Sequence, residues 1–550
     1  MRDLAPGAVR LVPLGGLGEI GMNCLAIEQA DGIVVVDCGI AFPEGDLGVD
    51  VIHPDFTWLR ERAERVKGVF LTHGHEDHVG ALPYLLQELD VPIWGAPHAL
   101  GVARRRLYEH DFSRDELDLR PAHVNATYDV GPFRIEPVRV THSIVEASAL
   151  RIHTRAGTIL HTGDFNLDPD PPDGEPTDLD RLAAIGDEGV ALMLSDSTNS
   201  DVPMRGGSER MVASAIEGIA SQARGRVVIA LFASNVQRLI TFGAMAERLG
   251  RKICVLGRSL DAQITLATEI GRLKWPSDLM IPMDQAANIS RDRLLVLAGG
   301  TQAEPSSAMR RLALGQHPAF RLDAGDSVIL SSRVIPGNER VVSTMLNDLL
   351  RLGVTLHTQK SDPGVHTSGH AARPELERMI EVLRPRCFLP VHGTLHHMLT
   401  HRELARDLGV RETTVIEDGT PLVCDGHALE TEARVQSGRI AIAHGGEPAS
   451  DSVLRARAEL GRCGVVFVAL AVDGRGHGVT PPRVLVKGVP AVEGDADLRS
   501  IELEAARALE VYRTGRGLEQ AEFVKRAVRR KVEDLTGSRP VVEVIVNTVD

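Results

Sequence analysis

The sequence predicts an α/β protein of several domains, and three observations carry that reading. β-branched apolar runs alternate with helix-period segments along most of the chain. Between residues 208 and 350 four such runs are separated by helical segments, the pattern of a parallel sheet. Near the N-terminus one strand leads straight into a turn crowded with metal-capable side chains, LTHGHEDH (71–78).

Taken in order, GIVVVDCGI (32–40) and VKGVFLT (66–72) read as buried strands, and ALPYLLQEL (81–89) places Leu82, Leu85, Leu86 and Leu89 at helical spacing. LDPDPPDGEP (167–176) reads as a surface loop. The four middle strands are RVVIALFAS, KICVLGRS, RLLVLAGGT and SVILSS, alternating with helices such as VQRLITFGAMAERLG. After about 440 come strands GVVFVALAV and RVLVKGV, charged helices from 496 to 535 and a last strand, PVVEVIV. The helix FVKRAVRRKVEDL repeats Val524, Val528 and Val532 on one face, which leaves its lysines and arginines to read as a solvated face, with RNA contact or subunit contact as the alternatives.

Composition narrows the function classes. With 550 residues, 43% hydrophobic and 25% charged, the chain is expected to form roughly two to four domains with substantial cores. A formal net charge of −14 means that any contact with nucleic acid must be local, and 3% aromatic residues leave few base-stacking platforms. No stretch approaches the roughly 20 apolar residues of a membrane span, and the first residues lack a signal-peptide pattern, so a cytoplasmic protein without membrane contact is expected. The six cysteines form no CxxC pair, which argues against a disulfide framework and a thiolate zinc site.

The histidine-rich turn is the strongest chemical signal. In H-x-H-x-D-H, a turn between a strand and a helix gathers His73, His75, Asp77 and His78, imidazole and carboxylate donors suited to two divalent ions. Two ions need further donors. His142 in VRVTHS and Asp164 in TILHTGDF also follow strands, so both can reach the same sheet edge, with Asp164 placed to bridge.

Together HGHEDH, THS, HTGDF and LPVHG resemble the successive motifs of the metallo-β-lactamase fold. LSDST (Asp196), TSGH (His370) and PVHG (His392) resemble the three motifs of its β-CASP branch, which processes nucleic acids. PLGGLGEIGMN, ASNVQR, GRS, IPGNE and the trailing small domain extend a resemblance to the bacterial ribonuclease J family over nearly the full chain. That resemblance implies an αββα sandwich at 1–207 and 356–440, an inserted parallel α/β (β-CASP) domain at 208–355, and a small α+β domain at 441–550. It implies two Zn²⁺ per subunit, with Mn²⁺ or Mg²⁺ as substitutes. His73, His75 and His142 would hold one ion, Asp77, His78 and His392 the other, with Asp164 between.

The expected activity is hydrolysis of single-stranded RNA from the 5′ end, with internal cleavage alongside it, in mRNA decay and rRNA maturation. Asp77, Asp196 and His370 are the catalytic candidates. Ser234, Asn235, Ser331, Ser332, Arg333, His366, Thr367, Ser368, Gly369 and His370 are the candidate RNA contacts. Expected partners are RNA precursors, further copies in a dimer or tetramer, and a helicase or degradation complex. The competing readings are a related hydrolase of DNA or small esters, and a silent RNA-binding subunit. The chain departs from the family pattern at Gln237, where histidine is usual, at GGTQAEPSSAM (299–309), and at Arg333, where a third serine is common.

Overall fold

The computed structural model describes residues 4–43, 45, 47–335, 337–490, 492, 494–511 and 518–549. It divides into two compact units, Met1–Glu44 with Val51–Ile440, and Gly45–Asp50 with Ala441–Asp550.

Two mixed sheets face each other in the larger unit. The first runs Leu429–Thr431, Leu422–Cys424, Val9–Gly15, Cys24–Gln29, Gly32–Val36, Val66–Phe70, Ile93–Gly95, Leu119–Pro121. The second runs Glu412–Thr413, Cys387–Val391, Leu192–Asp196, Gly157–His161, Ser148–Thr154, Phe133–Arg139, Tyr128–Val130. Val34, Val36 and Phe70 from the first pack with Ile135, Ile152, Leu192 and Leu389 from the second in one core. Gly32–Val36 is buried at every position, which is why the sequence shows an unbroken apolar run there in place of alternation. The outer face of the second sheet carries helices Leu179–Glu188 and Arg373–Leu383, which close over Leu160, Met193 and Phe388. Against the first sheet, helix Pro97–Glu109 packs on Ile93–Gly95 and Leu119–Pro121.

The inserted segment forms a five-stranded, wholly parallel sheet, ordered Lys252–Leu256, Leu294–Ala298, Val227–Ala230, Ser327–Leu330, Thr355–His357. Separate apolar clusters cover its two faces. The last of these strands is an addition to the four legible in the sequence. It is three residues long and partly exposed, so it offers no apolar run to detect.

In the smaller unit Val465–Val472 is central, antiparallel to Arg483–Lys487 and parallel to Val541–Thr548. Helices Asp495–Val511 and Leu518–Thr536 supply Ile501, Ala505, Val524, Val528 and Val532 to its core, so the valine stripe is the buried face. Helix Asp451–Cys463 was not anticipated. Val453, Ala456, Leu460 and Cys463 share one of its faces, yet it buries none of its residues completely. Among the described residues no helix is long and apolar enough to cross a membrane.

Candidate metal centre and RNA cleft

Strand ends build the site. The strand Val66–Phe70 feeds the loop holding His73 and His75, and His75 is the residue at the start of helix Glu76–Val79, which carries Asp77 and His78. His142 follows Phe133–Arg139, Asp164 follows Gly157–His161, Asp196 ends Leu192–Asp196, and His392 follows Cys387–Val391. His392 holds φ +52°, a left-handed conformation that a non-glycine residue keeps only when its surroundings fix it.

Seven donor atoms converge. His73 Nε2 and His142 Nε2 lie 3.0 and 3.2 Å from His75 Nδ1. Asp164 Oδ2 is 3.3 Å from His78 Nε2 and 3.6 Å from His392 Nε2, and also 3.8 and 3.9 Å from His142 and His73 Nε2. Asp77 Oδ2 completes the second group, 3.4 Å from His392 Nε2 and 3.7 Å from His78 Nε2. One carboxylate oxygen therefore faces both groups of donors.

The outer hydrogen bonds fix which nitrogens are bare. His142 Nδ1 donates to the Gly369 carbonyl at 2.8 Å, and His78 Nδ1 to Asp37 Oδ2 at 2.8 Å. Thr72 Oγ1 gives its proton to Asp37 and so accepts from His73 Nδ1. Thr198 Oγ1 gives its proton to Asp196 and accepts from His392 Nδ1 at 2.7 Å. Four inward-facing Nε2 atoms are left as lone pairs. Lone pairs that crowd together around carboxylates require a cation between them, so the donor set fits metal ions.

Electrostatics agrees. Burial pulls the imidazoles of His75 and His142 down to about 3 and about 4, as neutral ligands require. Burial opposes charge on His78 and His392 too, but Asp164 and Asp77 outweigh it and hold both well above the usual range. That side of the site calls for positive charge.

Asp37, Thr72 and Thr198 were not anticipated from the sequence. Asp37 accepts from Thr72 N, Thr72 Oγ1 and His78 Nδ1, each at 2.8 Å. Its signal was a carboxylate directly after the apolar run IVVV, at the same strand end as the other donors. Asn23, in the glycine-rich loop, places Nδ2 3.0 Å from His78 Nε2.

His370 Nδ1 lies 2.8 Å from Asp196 Oδ2, and the ring stacks on His392 with centroids 5.3 Å apart. Burial opposes a proton on His370, but Asp196 prevails and raises its imidazole. Beside it Asn166, Asp168, Arg205, Ser208, Ser368 and His370 border a cavity of about 250 Å³.

The loops expected to meet RNA differ in what they expose. Asn235 is buried and caps helix Val236–Arg248 through Arg238 N, and Ser331 Oγ, also buried, donates to the Val365 carbonyl. Thr367 Oγ1 donates to the Gly207 carbonyl. Fully buried Arg238 pairs with Glu209 and donates to the carbonyls of Ser331 and Thr367, tying these loops together. Arg333 is exposed and Ser234 half-buried, while Ser332 retains 7% of its surface. Ser368 Oγ accepts from Asn199 Nδ2 at 2.9 Å. Gly369 is required by crowding, since a Cβ there would lie 2.6 Å from Ser143 Oγ. Gln237 exchanges two hydrogen bonds with Asp173 and so anchors the 167–176 loop.

Two facing mixed sheets with this donor cluster at their edge define a metal-dependent hydrolase. Family models match accordingly: metallo-beta-lactamase superfamily at residues 17–209, ribonuclease J beta-CASP domain at 224–349, Zn-dependent metallo-hydrolase RNA specificity domain at 364–416, and ribonuclease J C-terminal domain at 452–549. Ribonuclease J from Helicobacter pylori strain 26695 is 37% identical over 470 residues, covering 85% of this chain and 68% of that protein. Ribonuclease J 1 of Streptococcus pyogenes is 37% identical over 475 residues, 86% of this chain and 84% of that one. The chain belongs to the ribonuclease J family and is a metal-dependent ribonuclease. An Enterococcus faecalis V583 protein of unknown function shares the fold alone, with TM-score 0.55, 18% identity, and coverage of 76% of this chain and 100% of its own.

Proposed function

We propose that the chain is a two-zinc ribonuclease that degrades single-stranded RNA from the 5′ end and also cuts internally, in mRNA decay and rRNA maturation. The observation that carries this reading is Asp164 Oδ2, within 3.3–3.9 Å of the Nε2 atoms of His73, His78, His142 and His392. His73, His75 and His142 would hold one ion, Asp77, His78 and His392 the other, and Asp164 both. When bound, such ions supply a nucleophilic water at neutral pH and neutralise phosphodiester charge.

The chain's own groups supply the rest. Asp196 accepts from His370 Nδ1 and, against burial, raises the imidazole, so the protonated ring also carries an Nε2–H that can protonate the departing 3′-oxygen. Ser234, Ser332, Arg333, His366 and Ser368 are the phosphate contacts, while Asn235, Ser331, Thr367 and Gly369 hold the loops in place. His366 Nδ1 is buried without a hydrogen-bond partner, and burial together with Arg238 and Arg333 keeps its imidazole well below the usual range. A phosphate at this point would let it take up a proton and donate. Arg333 adds a guanidinium to the pocket, so preference for a 5′ monophosphate over a triphosphate is weaker than serine alone would give. We place the enzyme in the cytoplasm as a dimer or tetramer.

The test is end-labelled single-stranded RNA and DNA of one sequence, carrying a 5′ monophosphate or triphosphate, digested with Zn²⁺ or Mn²⁺. RNA-selective release of mononucleotides, faster from the monophosphate, is expected. Equal release from both 5′ ends counts against the pocket, and equal cleavage of DNA counts against the substrate class. His75→Ala should abolish cleavage and lower bound metal.

A further inference from the structure

Helix Pro97–Glu109 lies between the histidine-rich loop and the inserted domain and touches both. A Cβ on Gly74, between His73 and His75, would stand 3.1 Å from His98 Nδ1 and 3.2 Å from Ala99 Cα, so the loop approaches the helix too closely there for a side chain to fit without a shift. One turn along the same helix a Cβ on Gly101 would meet Leu266 Cδ1 at 2.3 Å, on the insert's helix Arg258–Glu269. The His98 ring is fully buried and donates from Nε2 to Gln263 Oε1 at 3.1 Å.

A second tie starts from the same residue. His98 N donates to Glu146 Oε2 at 2.8 Å, and Glu146 Oε1 accepts from Arg272 Nε at 2.8 Å. Glu146 lies in the loop that follows His142 and holds φ +60°, a conformation that needs outside support. Both donor loops of the His73, His75, His142 group are therefore referred, through His98 and Glu146, to two side chains of the inserted domain. Close-packed contacts transmit displacement, and metal ligands tolerate errors of only about 0.2 Å.

We propose that Gln263 and Arg272 are positioning residues for the metal centre, so that ligand geometry depends on how the inserted domain is seated. This rests on the reading that His73, His75 and His142 hold an ion. The test loads Co²⁺ into wild type, Gln263→Leu and Arg272→Met, and records the cobalt absorption spectrum, affinity by chelator competition, and kcat and KM on RNA. Both variants should shift the spectrum, weaken affinity about 10-fold and lower kcat with KM unchanged, and Arg272→Lys should restore most of each.

Arg248→Ala, which breaks the insert's separate pair with Glu217, should change none of them. The Arg272 side chain is 31% exposed, so its variant reports even where Gln263→Leu fails to fold. Wild-type spectrum and affinity in the folded variants, with His75→Ala altered, overturn the proposal. A wild-type spectrum in His75→Ala overturns the metal-centre reading and this proposal with it.

Discussion

His370 and Asp37 show how much depends on a single hydrogen bond in this site. Asp196 Oδ2 accepts from His370 Nδ1 at 2.8 Å. His370→Ala should lower the rate at saturating RNA by about 10²–10⁴ with bound metal unchanged. Single-turnover kinetics beside metal analysis checks this, and an unchanged rate would make His370 a bystander. Asp37 is the converse case, remote from substrate but bonded to His78. Asp37→Asn turns an acceptor toward a donor and should weaken the metal by about 10–100-fold. Chelator competition measures it, and undiminished affinity would show that Thr72 alone orients the loop.

At the scale of elements, short connections hold the strand ends in register. Asp418 Oδ1 accepts from Leu17 N at 3.0 Å, beside the two-residue pairing of Leu17–Gly18 with Gly393–Thr394 next to His392. Burial, with Glu417 adding to it, pushes the Asp418 carboxyl up to about 7. Its ordinary value, which the unfolded chain restores, is 3.8. Between those values the folded chain binds the extra proton, so this group's contribution to stability falls as pH rises from about 4 to about 7. Asp418→Asn keeps an acceptor for Leu17 and removes the titration. Its melting temperature relative to wild type should rise between about pH 5 and about pH 8, and a pH-independent difference would reassign the carboxyl to ordinary behaviour.

Over the whole molecule, the inserted sheet and the HTSGH loop are joined by one buried guanidinium. Arg238 binds Glu209 at 3.0 Å through two nitrogens and also donates to the carbonyl of Thr367 at 3.1 Å. Arg238→Met leaves a buried carboxylate unpaired and should cost about 3–5 kcal/mol. Denaturant titration measures it, and adding Glu209→Met should recover much of the loss. A cost below about 1 kcal/mol, as at an exposed pair, would mean that water reaches Glu209.

The candidate donor set was legible because metal binding demands a few residue types at strand ends, and H-x-H-x-D-H states four such residues within six positions. His142, Asp164 and His392 were legible only as members of a set, since a lone histidine or aspartate after a strand is usually structural. The valine stripe of 524–532 and the four parallel strands were equally plain, because burial imposes periodicity on sequence. Asp37, Thr72 and Thr198 were hidden, since a hydrogen bond to the far nitrogen of a ligand leaves no spacing rule. Asn235 and Ser331 read as candidate substrate contacts, and nothing in the sequence signals their burial or their bonds to a helix N-terminus and a backbone carbonyl. The ties from Gln263 and Arg272 join residues more than a hundred positions from the loops they steady. Local sequence fixes which side chains can bind metal, and only tertiary packing decides which of the others hold them still.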